Sequence, residues 1–316
     1  MFRELLSTPD GGTISVDWYD PEKLGSSLPL SFSTPIALFI PGLTGTSDAE
    51  YLRLLVPIAH SIGYRVVVVN YRGLGDTPLT SQRLYCAANH EDLEQALKHI
   101  RQLNPSVRLV AAALSMGGTV LAGYLVKAGS SSLVDAAFLI SVCWDFNKGA
   151  KQLRTGLLNP IVNRLLTKLL VNAALKHRAV FSNSPHNFDF DSFHSFTSLR
   201  QFDHAFTIRI FGYPSTDVYY EAASYSDRIS SVKVPTFCLN AADDMLAPEE
   251  DLPLKQLASS DNVAMLMTAR GGHIGFMESG GLSIGKPTYY LERLFEQYMR
   301  ALFEMKESPR SLVATE

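Results

Sequence analysis

The sequence has few cysteines, no excess of charge and no long apolar run. Its 316 residues include three cysteines, Cys86, Cys143 and Cys238, without a C-x-x-C pair, which argues against a disulfide framework or a cysteine zinc site. No apolar run reaches the roughly 18 residues of a membrane span, and residues 1–10 are too polar for a signal peptide. A net charge of −3 gives no global basic field for nucleic acid. We therefore expect an intracellular protein with reduced thiols and no nucleic-acid partner.

The sequence also lacks the residue spacings that are typical of metal-binding and nucleotide-binding sites. No H-E-x-x-H or comparable spacing is present, and seven of the eight histidines are interpreted as solvated or core side chains. The segment Gly73–Gly75 is too short for a dinucleotide loop and is interpreted as a turn near a pocket. We expect neither a metal nor another cofactor.

The sequence does contain enough apolar material for a large core. Hydrophobic residues make up 46% and charged residues 19%, which excludes disordered and collagen-like classes. Short apolar runs alternate with amphipathic stretches, a pattern typical of parallel strands joined by crossover helices. The predicted strands are Thr13–Trp18, Pro35–Ile40, Arg65–Asn70, Arg108–Ala113, Ala136–Val142, Thr236–Asn240 and Val263–Thr268. The helices predicted beside them are Asp92–Leu103, Thr119–Lys127 and Tyr289–Phe303.

This alternation stops between residues 146 and 224, where no parallel strand is predicted. Leu158–Lys176 is predicted as an amphipathic helix, with leucines and Ile161 on one side and Asn163, Thr167 and basic residues on the other. We therefore predict one α/β domain in two parts, 1–145 and 225–306. A mainly helical cap over 146–224 interrupts it, and a flexible tail over 307–316 follows.

A serine lies where a predicted strand runs directly into a predicted helix. Val110–Leu114 is apolar, Ser115 follows, and the helix over Thr119–Lys127 comes next. This is the strand–turn–helix context of a nucleophile elbow, whose flanking positions must be small, as Ala113 and Gly117 are. A helix N-terminus also stabilises negative charge. A chance turn of small residues is the alternative, and the context favours Ser115 as a nucleophile.

The loop Pro41–Gly45 follows an earlier predicted strand. In an α/β-hydrolase the loop at this place provides one N–H of an oxyanion hole, and the residue after the nucleophile provides the other. Leu43 and Met116 are therefore the expected oxyanion donors. Taken alone, the loop would be interpreted as a plain Pro-Gly turn.

Acidic residues and a histidine follow the last two predicted strands. The chain order Ser115, Asp244, His273 is that of α/β-hydrolases. In such a triad the carboxylate holds the imidazole Nδ1–H, so that Nε2 can take the serine proton. Asp243 is the rival acid. We prefer Asp244 because it lies four residues before Pro248, and Asp243 would then be a supporting group or a turn cap.

Together these segments resemble a known family. The sequence resembles the alpha/beta-hydrolase domain-containing proteins of types one and three, within the wider family of bacterial YheT-like and plant embryogenesis-associated hydrolases. The resemblance covers nearly the whole chain. Its matching segments are Pro41–Gly45, Asn70–Gly73, Tyr85–Asn89, Glu91–Glu94, Ser115–Gly118, Cys143–Asp145, Gln201–Asp203, Phe211–Tyr213, Tyr219–Tyr220, Ala242–Asp244 and Gly271–Phe276.

The resemblance implies a serine hydrolase that acts on lipid esters. Types one and three imply acyl release from phosphatidylcholine-like phospholipids. Family members usually carry an N-terminal membrane-anchoring segment, whereas this sequence begins close to its first predicted strand. We therefore expect this form in the cytoplasm or peripherally on membranes. Thr80–Arg83 also departs from the Thr-Pro-Arg of relatives, and nothing in the sequence explains that change.

The predicted cap is basic although the chain is not. Between Asp145 and Val180, seven lysines and arginines stand against one aspartate, a local charge of +6. The leucine-rich side of the cap helix either lies on an anionic membrane surface or covers the cleft while the basic side is solvated. The two arrangements are compatible.

Several functions share the same predicted triad. Hydrolysis of phosphatidylcholine-like lipids through an acyl-enzyme is the first, followed by an acylglycerol lipase or general carboxylesterase. An acyltransferase would pass the acyl group to an alcohol instead of water. A non-catalytic lipid-binding protein is the candidate from another class, and the triad Ser115, Asp244 and His273 argues against it. The sequence does not set the oligomeric state.

Overall fold

A mostly parallel sheet with helices on both faces forms the centre of the molecule. The computed structural model describes residues 1–19, 33–278 and 289–312, and within these the sheet has eight strands. The strands are β1 (Phe2–Ser7), β2 (Thr13–Trp18), β3 (Ile36–Ile40), β4 (Arg65–Asn70), β5 (Leu109–Leu114), β6 (Ala136–Ile140), β7 (Thr236–Ala241) and β8 (Val263–Thr268). Their order is β1-β2-β4-β3-β5-β6-β7-β8. The predicted fold class is confirmed.

Strand pairing follows the burial of the apolar runs. Pairing is antiparallel for β1 with β2 and for β2 with β4, and parallel from β4 to β8. Strands β3, β5 and β6 are buried along their whole length, as expected for strands covered on both faces. All seven predicted strands are present. Strand β5 runs through Leu114, so Ser115 follows the strand directly.

The first strand is the one that the sequence analysis missed. Strand β1 lies at the edge of the sheet and its residues are mostly half-exposed or exposed. An edge strand buries little on either face, so its sequence does not need the continuous apolar run that marks the central strands.

Helices cover both faces of the sheet. They are α1 (Glu50–Ile62), α2 (Glu91–Leu103), α3 (Met116–Ala128), α4 (Phe146–Gln152), α5 (Asn159–Lys176), α6 (Leu199–Phe202), α7 (Ile208–Phe211), α8 (Thr216–Ala222), α9 (Leu254–Leu257) and α10 (Tyr290–Glu304). Helices α2 and α3 bury apolar residues against one face, and α1 and α10 against the other. None of the helices in the described part combines the length and apolar character needed to cross a bilayer.

Residues 146–224, all of which the structure describes, contain α4 to α8 and no strand. A single π-helical stretch, Asp203–Thr207, joins α6 to α7. Phenylalanine rings packed against one another give this segment an apolar core of its own. These rings belong to Phe181, Phe188, Phe190, Phe193, Phe202 and Phe206.

The cap helix turns part of its apolar side outward, an orientation that the sequence analysis left open. Asn163, on the polar side of α5, is buried, whereas Leu165 and Leu169 on its apolar side are exposed. The cause is a pair of hydrogen bonds inside the cap. Asn163 Nδ2 donates to the Leu153 carbonyl at 3.3 Å, and the Leu199 N–H donates to Asn163 Oδ1 at 2.9 Å. A buried amide with satisfied hydrogen bonds fixes the rotation of the helix.

The start of the predicted flexible tail is folded. A 3-10 helix spans Pro309–Leu312, and the Arg310 guanidinium donates to Asp135 Oδ1 at 3.2 Å and to the Val134 carbonyl at 3.0 Å. These bonds hold residues 309–312 against the loop before β6. Residues 313–316 of the tail, and 279–288 within the predicted second part of the α/β domain, lie outside the described residues.

Candidate active site

Ser115 occupies a sharp turn between β5 and α3. Its backbone has φ 53° and ψ −124°, a conformation that non-glycine residues seldom adopt. The turn is possible because its neighbours are small. A Cβ atom on Gly117 would collide with the Pro41 carbonyl, and one on Gly42 would come within 3.1 Å of Ser115 Cβ. The turn holds the serine hydroxyl at the carboxyl end of the sheet and at the first turn of α3.

Ser115, His273 and Asp244 form one hydrogen-bonded chain. His273 Nε2 lies 2.7 Å from Ser115 Oγ, and His273 Nδ1 lies 2.9 Å from Asp244 Oδ2. An ionised carboxylate only accepts, so Nδ1 carries the hydrogen and Nε2 is free to accept the Ser115 O–H. The Asp244 side chain is fully buried, and its second oxygen accepts the Leu246 N–H at 2.8 Å.

Asp243, the rival acid, points elsewhere. Its Oδ1 accepts the N–H groups of Gly271 and Gly272 at 2.9 and 2.8 Å. It therefore braces the turn that leads to His273 instead of contacting the imidazole. On the other side of that turn, the Ile274 N–H donates to Ser141 Oγ at 3.2 Å.

The two expected oxyanion donors, Leu43 and Met116, line the same cavity as Ser115. Met116 is the first residue of α3, whose opening N–H groups have no partner within the helix. Leu43 belongs to the loop after β3, and both residues line the same cavity as Ser115 and His273. The structure thus brings together all five residues that the sequence analysis selected.

A cavity of about 240 Å³ opens over Ser115. Its floor comes from the catalytic end of the sheet, and its roof comes from the cap, including Leu153, Leu166, Leu170 and Phe202. Most of the lining side chains are apolar or aromatic, as in sites that hold an apolar ligand with a few fixed polar groups. The arrangement can hold an apolar chain beside a serine hydroxyl that is hydrogen-bonded to a histidine.

Residues 35–280 match the family model described as the alpha/beta hydrolase fold. That segment is most of the chain and contains Ser115, Asp244 and His273. This chain belongs to the alpha/beta hydrolase family. It is a hydrolase.

Several curated relatives of this hydrolase are named for lipid hydrolysis. The chain is 40% identical to "Phospholipase ABHD3" of Homo sapiens over 303 residues, which cover 96% of this chain and 72% of that protein. It is 34% identical to "Protein abhd-3.2" of Caenorhabditis elegans, over 88% of this chain and 72% of that one. "Embryogenesis-associated protein EMB8" of Picea glauca is 29% identical, over 95% and 66%. The predicted resemblance is confirmed.

Solved structures share the fold of this hydrolase. The Pyrococcus furiosus esterase Pf2001 superposes with a TM-score of 0.57 over 95% of this chain and 89% of its own, at 15% identity. A structure titled as a membrane phospholipase A, a bacterial virulence factor, gives a TM-score of 0.57 over 96% and 87%, at 16% identity. At such identities the likeness shows the fold alone.

Three tyrosines around the loop Pro41–Gly45 were not selected as site residues from the sequence. The Gly42 N–H donates to the Tyr51 hydroxyl at 2.9 Å, and the Thr44 N–H donates to the Tyr85 hydroxyl at 3.0 Å. Tyr71 donates to the Pro41 carbonyl at 3.1 Å and stacks on Tyr85. Burial raises the pKa of the Tyr51 and Tyr85 phenols, so both remain neutral. The loop that carries Leu43 is therefore held by side chains distant in sequence.

A buried acid in the cavity wall was also missed as a site residue. Asp203 lies in the π-helical stretch and accepts hydrogen bonds from Thr207 Oγ1 at 2.7 Å and from the Tyr220 hydroxyl at 2.9 Å. Burial raises its pKa to about 6. The segment Gln201–Asp203 stood out only through the family resemblance, because spacing alone does not reveal a carboxyl that packs beneath a cap.

The described residues contain no group of three or more His, Cys, Asp or Glu side chains arranged for a metal ion. Cys143 lines the cavity as a free thiol, and burial raises its pKa. A thiol that stays protonated does not compete with Ser115 as a nucleophile.

Proposed function

We propose that this hydrolase cleaves acyl esters of phospholipids, with phosphatidylcholine-like lipids as its main substrates. The observation that carries the proposal is the Ser115–His273–Asp244 chain at the floor of an apolar cavity. The relatives named phospholipases, at up to 40% identity, support the choice of lipid.

In the first half of the reaction Ser115 Oγ attacks the ester carbonyl carbon while His273 Nε2 takes the hydroxyl proton. Asp244 holds the imidazole and stabilises the imidazolium that results. The Leu43 and Met116 N–H groups bind the oxyanion of the tetrahedral intermediate, each worth about 10²–10³ in rate. As the intermediate collapses, the bond between the acyl carbon and the ester oxygen of the leaving lysolipid breaks. His273 gives its proton to that ester oxygen.

In the second half water takes the place of the lysolipid. His273 removes a proton from the water, the hydroxyl attacks the acyl carbon, and the same donors hold the new oxyanion. Collapse then breaks the bond to Ser115 Oγ, which regains its proton from His273. The products are a free fatty acid and the free enzyme.

An acylglycerol is the second candidate substrate. "Monoacylglycerol lipase ABHD2" of Mus musculus is 26% identical over 99% of this chain and 76% of that protein. The same triad chemistry applies to both substrates, because each presents an acyl ester to Ser115. The two differ only in the alcohol that leaves. We further propose that the enzyme reaches its substrate peripherally at a membrane surface.

The purified protein incubated with phosphatidylcholines of varied chain length, beside mono- and diacylglycerols, tests the substrate. Product identification by mass spectrometry is expected to show lysophosphatidylcholine and fatty acid. Faster release of glycerol or monoacylglycerol would support the acylglycerol lipase instead. Transfer of the acyl group to an added alcohol, at the expense of free fatty acid, would identify an acyltransferase.

A further inference from the structure

The outer surface of the cap carries a row of exposed leucines. Leu158, the residue before α5, and three residues of the helix follow one another at spacings of three or four positions, which places them on one face. With the preceding Leu157, their exposed fractions run from 46% to 91%. We call this row the leucine stripe: Leu157, Leu158, Ile161, Leu165 and Leu169. It extends for about 17 Å along the helix at 1.5 Å per residue.

The stripe cannot turn inward without breaking polar contacts. The opposite side of α5 buries Asn163 and Thr167, and Asn163 is fixed by its bonds to Leu153 and Leu199. Thr167 Oγ1 donates to the Asn163 carbonyl at 2.6 Å. Rotation of α5 would leave the buried amide of Asn163 without hydrogen-bond partners, which is energetically unfavourable. The outward position of the leucines is therefore a stable property of the folded cap. A contiguous exposed apolar patch of this kind marks an interaction surface.

Charge beside the stripe indicates what covers it. From residue 146 to residue 188 the sequence has seven lysines and arginines and no acidic residue. Arg164 and Lys168 are exposed and stand next to Leu165 and Leu169 in the sequence. Leucines flanked by lysine and arginine are typical of a helix that lies in the plane of an anionic membrane surface. A second copy of the chain would bring two strongly basic surfaces together.

The same helix reaches from the stripe to the cavity. Leu166 and Leu170 of α5 line the cavity that contains Ser115, while Leu165 and Leu169 face outward. One helix therefore connects an outer apolar surface with the inner apolar site.

We propose that the leucine stripe of α5 is the surface by which this hydrolase inserts into the headgroup region of an anionic lipid bilayer. The helix lies in the plane of the membrane, its leucines reach the acyl boundary, and Arg164 and Lys168 contact lipid phosphates. The proposal deepens the proposed function, since a lipid leaving the bilayer beside α5 is then next to the cavity.

The test uses the full chain and separates binding from catalysis. The triple variant I161Q/L165Q/L169Q removes three outward side chains that do not line the cavity. The matched control L54Q/L103Q/L254Q changes three leucines that are similarly exposed elsewhere, at 41%, 54% and 43%. Co-sedimentation with vesicles of phosphatidylcholine, with and without phosphatidylserine, measures binding. Turnover of a water-soluble short-chain ester measures catalysis, and circular dichroism checks folding.

The stripe variant is expected to lose vesicle binding by about tenfold or more, and to keep the soluble-ester activity and fold of the control. The variant R164Q/K168Q is expected to lose only the preference for phosphatidylserine vesicles. Unchanged vesicle binding by the stripe variant would overturn the proposal. The proposal would also be overturned if the parent ran as a dimer on size-exclusion chromatography and the stripe variant ran as a monomer.

If the parent binds vesicles, the variants show the expected losses and no ester is hydrolysed, the proposed function is wrong and the membrane-binding proposal is supported. If the parent hydrolyses phospholipid in detergent micelles but does not bind vesicles, the proposed function is supported and the membrane-binding proposal is wrong.

Discussion

Two backbone hydrogen bonds fix Ser115 in its unusual conformation. Its N–H donates to the Ile140 carbonyl at 2.8 Å, and its carbonyl accepts the Thr119 N–H at 3.1 Å. These bonds tie the strained residue to β6 on one side and to α3 on the other. The proposed nucleophile is thus held in place by the fold itself, and such preorganisation is the condition for effective electrostatic catalysis.

Tyr51 accepts the Gly42 N–H in the loop that carries the proposed oxyanion donor Leu43, so Tyr51→Phe is expected to impair catalysis more than folding. The variant leaves the Gly42 N–H without its acceptor, and the neighbouring Leu43 N–H loses its fixed direction. We expect kcat for a soluble ester to fall by roughly tenfold, the equivalent of about 1.4 kcal/mol, with little change in KM.

Tyr298→Phe is the control for this prediction. It also removes one buried tyrosine hydroxyl bond, to the Ala137 carbonyl at 2.9 Å, but away from the cavity. If both variants lose stability alike and Tyr51→Phe keeps full kcat, Tyr51 is only a structural residue.

Asp203 makes stability depend on pH in a predictable direction. Its folded pKa of about 6 lies above the ordinary value of 3.8, so between these values the folded protein holds a proton that the unfolded chain has lost. Its contribution to the free energy of unfolding is therefore fully present below pH 4 and is lost as the pH rises to about 6.

The variant Asp203→Asn removes this ionisation. The difference in free energy of unfolding, Asp203→Asn minus parent, is expected to increase by up to about 3 kcal/mol from pH 4 to pH 7. The increase arises because only the parent loses the contribution of the protonated Asp203. Urea unfolding across this range measures the difference. Asp217→Asn, at an exposed carboxylate of α8, is the control. Parallel stability curves for the parent and Asp203→Asn would show that Asp203 does not titrate there.

At the scale of elements, one arginine connects three parts of the fold. Arg72 follows β4, is almost fully buried, and donates from Nε to Asp92 of α2 at 2.6 Å. Its Nη1 donates to Asp10, in the turn between β1 and β2, at 2.6 Å. The guanidinium therefore pairs with Asp92, whose side chain is only 11% exposed.

Arg72→Met is expected to lower the free energy of unfolding by about 3–5 kcal/mol, because it leaves Asp92 buried without its cation. Arg300→Met removes a pair with Glu296, in which both side chains are nearly half exposed, and is expected to cost about 1 kcal/mol or less. Thermal and urea unfolding compare the two. Equal losses from both variants would contradict the special role of the buried pair.

The central strands and the order of the triad could be predicted because local patterns encode them. Continuous apolar runs mark β3 to β7, and Ser115, Asp244 and His273 each follow a strand. Proximity of these side chains follows from parallel strands that end at one edge of the sheet. The choice between Asp243 and Asp244 depended on the spacing to Pro248, because both follow the same strand.

Other features depend on contacts that a local pattern does not contain. The rotation of α5, which its leucine pattern left open between a membrane surface and the cleft, is set by the hydrogen bonds of Asn163 to two backbone groups outside the helix. The tyrosine at position 51 lies on α1 and reaches Gly42 only in the folded molecule. Strand β1 needs little apolar surface at the sheet edge.

At the scale of the whole molecule, the net charge is close to neutral, but one segment is strongly basic. The chain carries −3 overall, yet residues 146–188 carry seven lysines and arginines and no acid. These basic residues therefore belong to the cap, which also lines the cavity over Ser115. The α/β body holds Ser115, His273 and Asp244 together, and the cap supplies the apolar roof of the cavity.

The central claim is that Ser115 is the nucleophile of a phospholipid hydrolase. Its most direct test compares the parent with Ser115→Ala for release of lysophosphatidylcholine and fatty acid from phosphatidylcholine by mass spectrometry, with fluorophosphonate labelling of both proteins. We expect Ser115→Ala to lose labelling and to lower the rate by about 10⁴-fold or more, with an unchanged fold. Full labelling, or lipid hydrolysis near the parent rate, in Ser115→Ala would contradict the account.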